Sequence, residues 1–160
     1  MKKDDLKFMR QALELAKTAF DEDEVPVGAV IVYNNRIIAK GRNQVEKLLD
    51  PTAHAEMIAI TSAASFLKYK WLSKCIMYVT VEPCMMCAGA LVLSRIGKVV
   101  FGAKDPKTGA FGSKVDINLL KLNHKIKVAK GVLEKECSQI LSSFFENKRR
   151  QKKLGIADIC

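Results

Sequence analysis

The sequence predicts an α/β fold: a mixed sheet of about five strands with helices on both faces. Three observations predict it. Apolar residues recur at steps of three and four near the start of the chain, two β-rich runs then flank Asn34-Asn35, and strand-like and helical segments alternate from there onward.

Leu6, Met9, Leu13, Ala16 and Phe20 define one face of a helix over residues 4–20, with Asp4 and Asp5 near its start. Asp21-Glu22-Asp23-Glu24 reads as an acidic connector. Val27–Val32 and Arg36–Lys40 form a hairpin, since Asn tolerates the left-handed backbone of a tight turn. Residues 43–53 are polar and include Asp50-Pro51-Thr52, a loop that feeds a helix over about 54–66. Cys75–Val81 is a buried-type strand. Pro83 suits the first position of a helix running to about Ser94, and Val99–Phe101 is the next strand. Residues 102–114 hold three glycines and one proline and read as a long binding loop. Ile126–Ala129 supplies a fifth strand and residues 133–150 the last helix. The hairpin pair is antiparallel because its turn is tight, and the later strands are parallel because helices connect them.

At 160 residues the chain fits one domain. Residues 1–150 form that domain in this reading, and residues 151–160 form a basic tail. A hydrophobic fraction of 49% excludes disorder for the bulk of the chain. No stretch approaches the roughly 18 uninterrupted apolar residues of a membrane helix, and no apolar leader follows Met1-Lys2-Lys3. The expectation is a cytoplasmic protein without membrane contact. Five cysteines are too few and odd in number for a disulfide scaffold, so they are metal ligands, nucleophiles or core residues. The charge is unevenly spread. Residues 1–94 hold 12 Lys/Arg against 11 Asp/Glu, whereas residues 95–153 hold 15 against 5 and end in Lys148-Arg149-Arg150-Gln151-Lys152-Lys153. Such asymmetry suits a polyanion such as nucleic acid, or equally a solvated tail.

The chemistry lies in His54-Ala55-Glu56 and Pro83-Cys84-Met85-Met86-Cys87, with Arg42-Asn43 as a third candidate segment. Cys84 and Cys87, three apart at a helix start, put both sulfurs on one face, where the positive helix end favours thiolates. A redox pair is the competing reading, but it belongs to a thioredoxin-like setting that this sequence lacks. Zinc held by His54, Cys84 and Cys87 leaves one coordination position for water, as catalytic sites do. Cys75, Cys137 and Cys160 stay outside the site. Glu56 is the deciding residue: a carboxylate beside metal-activated water moves protons, and a structural site has no use for one. Two residues span about 200° of helix, so only an irregular first turn turns both His54 and Glu56 to the metal. His-x-Glu followed by Pro-Cys-x-x-Cys is the signature of zinc-dependent base deaminases.

The resemblance goes further than that signature. Glu24-Val25-Pro26-Val27-Gly28-Ala29-Val30, Asp50–Glu56, Tyr78–Ala90 and Ser94–Asp105 resemble the bacterial tRNA-specific adenosine deaminases of the cytidine deaminase superfamily. Thr108-Gly109-Ala110, Gly112-Ser113, Asn123-His124 and Ser143-Phe144-Phe145 also match, and the likeness covers roughly residues 5–150. Departures fall at 44–49, at 114–122 and after Lys153. The resemblance implies a three-layer αβα cytidine-deaminase-like fold, one zinc ion per subunit and a homodimer. It implies hydrolytic deamination of adenosine to inosine at the wobble position of a tRNA anticodon, with Glu56 shuttling the proton. It also implies that Asn43 bonds the target base, Ala55 lends backbone, Pro26 and Val27 form an apolar wall, and Asp105 meets the sugar–phosphate. Phe144 and Phe145 beside Arg149 and Arg150 suit base stacking and phosphate neutralisation, with at least one of the two rings packing the last helix onto the core. An anticodon loop is already unpaired, so extruding its base costs less than in a duplex. Two alternatives remain: a deaminase of a free base or nucleotide, of guanine or cytosine type, and a non-catalytic zinc-stabilised RNA-binding module. The first has no use for the basic last third. The second has no use for Glu56 and needs a fourth ligand such as Cys75, Cys137 or His124.

Overall fold

In the computed structural model, which describes residues 3–155, one sheet is sandwiched between two helical layers. The elements run α1 (Lys3–Asp21), β1 (Gly28–Tyr33), β2 (Arg36–Arg42), α2 (Val45–Leu48), α3 (Ala55–Leu67), β3 (Ile76–Val81), α4 (Met85–Leu93), β4 (Lys98–Ala103), β5 (Lys127–Lys130) and α5 (Glu134–Lys153). The strand order is β2-β1-β3-β4-β5. The hairpin β1–β2 is antiparallel through a turn with Asn34 and Asn35 at φ 47° and 59°, and β3, β4 and β5 are mutually parallel. Between the two groups β1 pairs antiparallel with β3, Ala29 facing Val79. The pairing is therefore mixed, as the alternating pattern predicts.

Alternation along the strands sorts the core into two halves. Ala29, Ile31, Met77, Val79, Val99 and Phe101 point to α3 and α4; Val30, Val32, Tyr78 and Val100 point to α1 and α5. On α1 the buried stripe is Phe8, Met9, Ala12, Ala16 and Ala19, while Leu13 and Phe20 lean sideways toward α5 and stay half-exposed. The face is rotated by about one position from the stripe read off the sequence, because small residues let the helix approach the sheet closely. Glycine serves the same end. A Cβ at Gly28 would run into the Ala12 carbonyl, and one at Gly41 into the Ala55 carbonyl.

Some local expectations are revised. The loop 43–53 contains the short helix α2, closed by Leu49 at φ 51°. Pro83 precedes α4 and does not start it: Cys84 is the cap residue, at φ −71° and ψ 174°. No α-helix joins β4 to β5. A long loop with a 3₁₀ turn at Ile117–Leu120 makes that parallel crossover. Helix α5 continues to Lys153, past residue 150 where the sequence reading ends the domain; residues 156–160, Cys160 among them, lie outside the described residues.

Candidate active site

Strands β2, β3 and β4 end on the same side of the sheet, and the first turns of α3 and α4 start there. In open α/β sheets this end carries the ligand site. His54 caps α3 in extended backbone (φ −72°, ψ 152°) and Cys84 caps α4 in the same way. Neither side chain makes a capping hydrogen bond to its own helix, so both are free to turn outward. Cys87, in the first turn of α4, is buried behind Cys84.

The three side chains converge. His54 Nδ1 lies 3.7 Å from Cys84 Sγ and 3.5 Å from Cys87 Sγ, and all three donor atoms lie within 4.8 Å of one another. Zinc–nitrogen and zinc–sulfur bonds of about 2.05 and 2.3 Å at tetrahedral angles put the nitrogen about 3.6 Å from each sulfur. The residues thus fit zinc in both donor chemistry and spacing. Hydrogen bonding from Cys87 pulls the Cys84 thiol down to about 4, against burial and with help from His54. That is toward the thiolate that a metal requires. The fourth-ligand candidates are elsewhere. Cys75 and Cys137 sit in the two halves of the core, and His124 Nε2 is 2.7 Å from the Ile96 carbonyl. Among the described residues the set therefore stops at three.

Glu56, in the first turn of α3, is 4% exposed and faces the same cavity as His54 and Cys84. The irregular cap at His54 is what lets residues two apart share that space. Burial pushes the Glu56 carboxyl up to about 7. The cavity measures about 500 Å³, ample for a nucleobase, with Val25, Val27, Val45, Val81 and Leu141 as its apolar walls.

The other sequence candidates divide. Asn43, Val27, Asp105 and Phe145 line the cavity. Pro26 and Ala55 are buried and do not reach it. Phe144 is 5% exposed and packs edge-on against Phe20 with centroids 5.6 Å apart, so it is the ring that holds α5 to the core, whereas Phe145 is 43% exposed. Arg149 and Arg150 are exposed on α5. Arg42 does not face the cavity chemistry; its guanidinium forks onto Glu22 at 2.8 and 2.9 Å.

Two buried carboxylates escaped the sequence reading as site residues. Glu24, inside the supposed acidic connector, is 1% exposed, lines the cavity, and accepts from the Lys47 amide at 2.8 Å and from Asn43 Nδ2 at 3.4 Å. Its signal was its place next to Val25-Pro26-Val27, not its charge. Glu82, just before Pro83-Cys84, is 2% exposed and also lines the cavity. Burial pushes its carboxyl up, but hydrogen bonds from Ser113 and from the amides of Asp105, Phe111 and Ser113 outweigh that and hold it below the usual range. Asp105 in turn accepts from the Lys107 amide at 2.9 Å and the Thr108 amide at 3.2 Å, so its carboxylate closes the loop's own turn. Lys104 and Lys107 stand exposed at the mouth.

A three-ligand metal position, a buried carboxyl beside it and a cavity of nucleobase size together define a class: the metal-dependent base deaminases. Comparison with known proteins agrees. A family model of MafB19-like deaminases matches residues 3–149, and the chain belongs to that family. A tRNA-specific adenosine deaminase of Haemophilus influenzae is 50% identical over 152 residues, which cover 94% of this chain and 88% of the relative. Its counterpart in Aquifex aeolicus is 52% identical over 143 residues, covering 89% and 94%. A solved structure from work on A-to-I editing by tRNA:A34 deaminases at the wobble position matches with a TM-score of 0.78 at 40% identity, covering 84% of this chain and 99% of that one.

Proposed function

We propose that this chain hydrolyses adenosine to inosine at the wobble position of a tRNA anticodon, releasing ammonia. One observation carries the reading: buried Glu56 opens onto the cavity that holds His54 and Cys84, in a chain half identical to tRNA-specific adenosine deaminases. His54, Cys84 and Cys87 would hold zinc, which when bound supplies Lewis acidity and an activated water at neutral pH. Glu56 takes the proton of the attacking water and delivers it to N1 of adenine as carbon 6 is attacked. The restored carboxylate then takes the second proton, from the hydroxyl now on carbon 6, and passes it to the departing amine at N6, so ammonia leaves as the carbonyl of inosine forms and Glu56 ends the cycle ionised. The apolar side chains of Val27, Val45, Val81 and Leu141 sheathe the ring and keep other water out. Asn43 bonds the base edge. Asp105, by closing its turn, presents Lys104 and Lys107 to the nucleotide's phosphates.

Polymer binding is supported by α5. Phe145 lines the cavity, and Arg149 and Lys153 follow at steps of four on the same helical face. The ring is available for a flanking base and the cations for successive phosphates. The homodimer implied by the resemblance is supported by large apolar side chains exposed near the metal helices: Phe66 at 64%, Met85 at 48% and Leu93 at 80%. A cytoplasmic location is supported by ligand thiols that need a reducing compartment; no helix among the described residues is long and apolar enough to cross a membrane. Residues 1–150 acting as the catalytic domain, with 151–160 as its basic end, completes the reading.

The test is direct. Zinc-loaded protein is incubated with a tRNA bearing adenosine at the wobble position, and separately with free adenosine, cytidine and guanine. Inosine in the tRNA with stoichiometric ammonia is the expected result. Turnover of a free base with inert tRNA would replace the reading with a small-molecule deaminase, and no turnover of any substrate would leave an RNA-binding module.

A further inference from the structure

Glu82 is a buried carboxylate that pairs with no cation among the described residues, yet four donors surround it. Oε1 accepts from the Phe111 amide at 2.9 Å and the Ser113 amide at 3.1 Å. Oε2 accepts from the Asp105 amide at 3.2 Å and from the Ser113 hydroxyl. The donors come from both ends of the segment 105–113, so one carboxylate gathers the loop into a cradle of converging N–H groups. The same segment is stitched to the start of the metal helix. The Ala110 amide donates to the Pro83 carbonyl at 2.9 Å, and Gly109 bridges Cys84. A Cβ at Gly109 would sit 2.5 Å from the Glu82 carboxyl carbon, so only glycine lets the loop close this far. The outer side of this loop carries Lys104, Asp105, Lys107 and Thr108 to the cavity wall.

We infer that Glu82 is a positioning residue for substrate: it sets the loop 104–113 against the metal helix and so governs how tightly the target nucleotide's sugar–phosphate is held. This rests on the tRNA reading above. The proton chemistry belongs to Glu56, and Glu82 acts only through the loop. Removing its charge therefore raises KM for tRNA and leaves the chemical step nearly intact.

Glu82→Gln is isosteric, but its amide nitrogen cannot accept, so donors now facing that nitrogen lose their partner. Each oxygen accepts from two donors, so two hydrogen bonds are lost there, and a single charge-assisted one already corresponds to about a tenfold rise in KM. Zinc content and kcat stay within about twofold. Two further variants guard against misfolding: Ser113→Ala removes one donor, and Gly109→Ala sets a methyl against the Glu82 carboxylate and pushes the loop outward without removing the charge. Both raise KM in the same direction, Ser113→Ala by only a few-fold. Hydrogen exchange on the free protein supplies a readout independent of substrate, with faster exchange at the amides of Asp105, Phe111 and Ser113 in Glu82→Gln. If the wild type deaminates tRNA while Glu82→Gln shows unchanged KM and unchanged exchange, the inference fails and the substrate reading stands. A fall in kcat at constant KM also overturns it, since that marks a role in the chemistry. If Glu82→Gln does not fold, unchanged KM in both Ser113→Ala and Gly109→Ala overturns it. A wild type inactive on tRNA overturns the substrate reading itself.

Discussion

Replacing Arg149, Arg150, Lys152 and Lys153 together by alanine separates RNA binding from catalysis. All four are exposed on the last turns of α5, where they make no ion pair among the described residues. Lys148 is left out of the set because it already pairs with Asp23 at 2.7 Å. With Lys104 and Lys107 at the cavity mouth, six exposed cations are available to RNA phosphates. If each neutralises one phosphate of the unpaired loop, log affinity falls with log salt at a slope near −4, at about −0.7 per contact. The quadruple variant keeps the two mouth lysines and a slope near −1.4. Between 50 and 200 mM salt the wild type then weakens about 300-fold and the variant about sevenfold. Fluorescence anisotropy with a labelled anticodon stem-loop across that range measures both slopes. Zinc content and kcat at saturating RNA should match the wild type, since the substitutions lie beyond Phe144, the ring that seats α5. Parallel slopes in the two proteins would refute the reasoning and return these residues to a solvated helix end.

Glu56→Gln should keep fold and zinc, because Glu56 is not among the three ligand residues, and should lower kcat by at least 10²–10⁴-fold, the range general acid–base catalysis supplies; single-turnover assays on zinc-replete protein decide it. Metal analysis should find one zinc per chain in the wild type and none in His54→Ala or Cys84→Ser. Cys75→Ala and Cys137→Ala should keep theirs, since both thiols are enclosed in the core; loss of zinc from either folded variant would add a fourth ligand. Gly41→Ala forces a methyl against the Ala55 carbonyl and shifts the start of α3, so it should cost about 1–3 kcal/mol of stability, read by denaturant unfolding, and weaken zinc binding through His54.

Features that depend on short spacing were legible from the residues alone. Asn34-Asn35 suffices for the hairpin because the turn needs two residues that accept positive φ, and nothing beyond them. His54-Ala55-Glu56 and Cys84-x-x-Cys87 were legible as a metal-and-carboxyl set because each pair shares one helix start, and that geometry is local. Which way a locally ambiguous residue faces was set by packing between segments distant in sequence. Glu24 reads as one acid among four. It is buried because the chain after α1 must turn inward to enter β1, and there the Lys47 amide and Asn43 partner it. Phe144 and Phe145 are chemically identical neighbours. A step of about 100° along α5 sends one onto Phe20 and the other into the cavity. Glu82 precedes the metal motif in the sequence, but its four donors lie 23 to 31 residues away. Hydrogen bonds across that separation follow from the packing of β3, β4 and the loop between β4 and β5. No local propensity encodes them, because the same carboxylate on an isolated strand end would be satisfied by water.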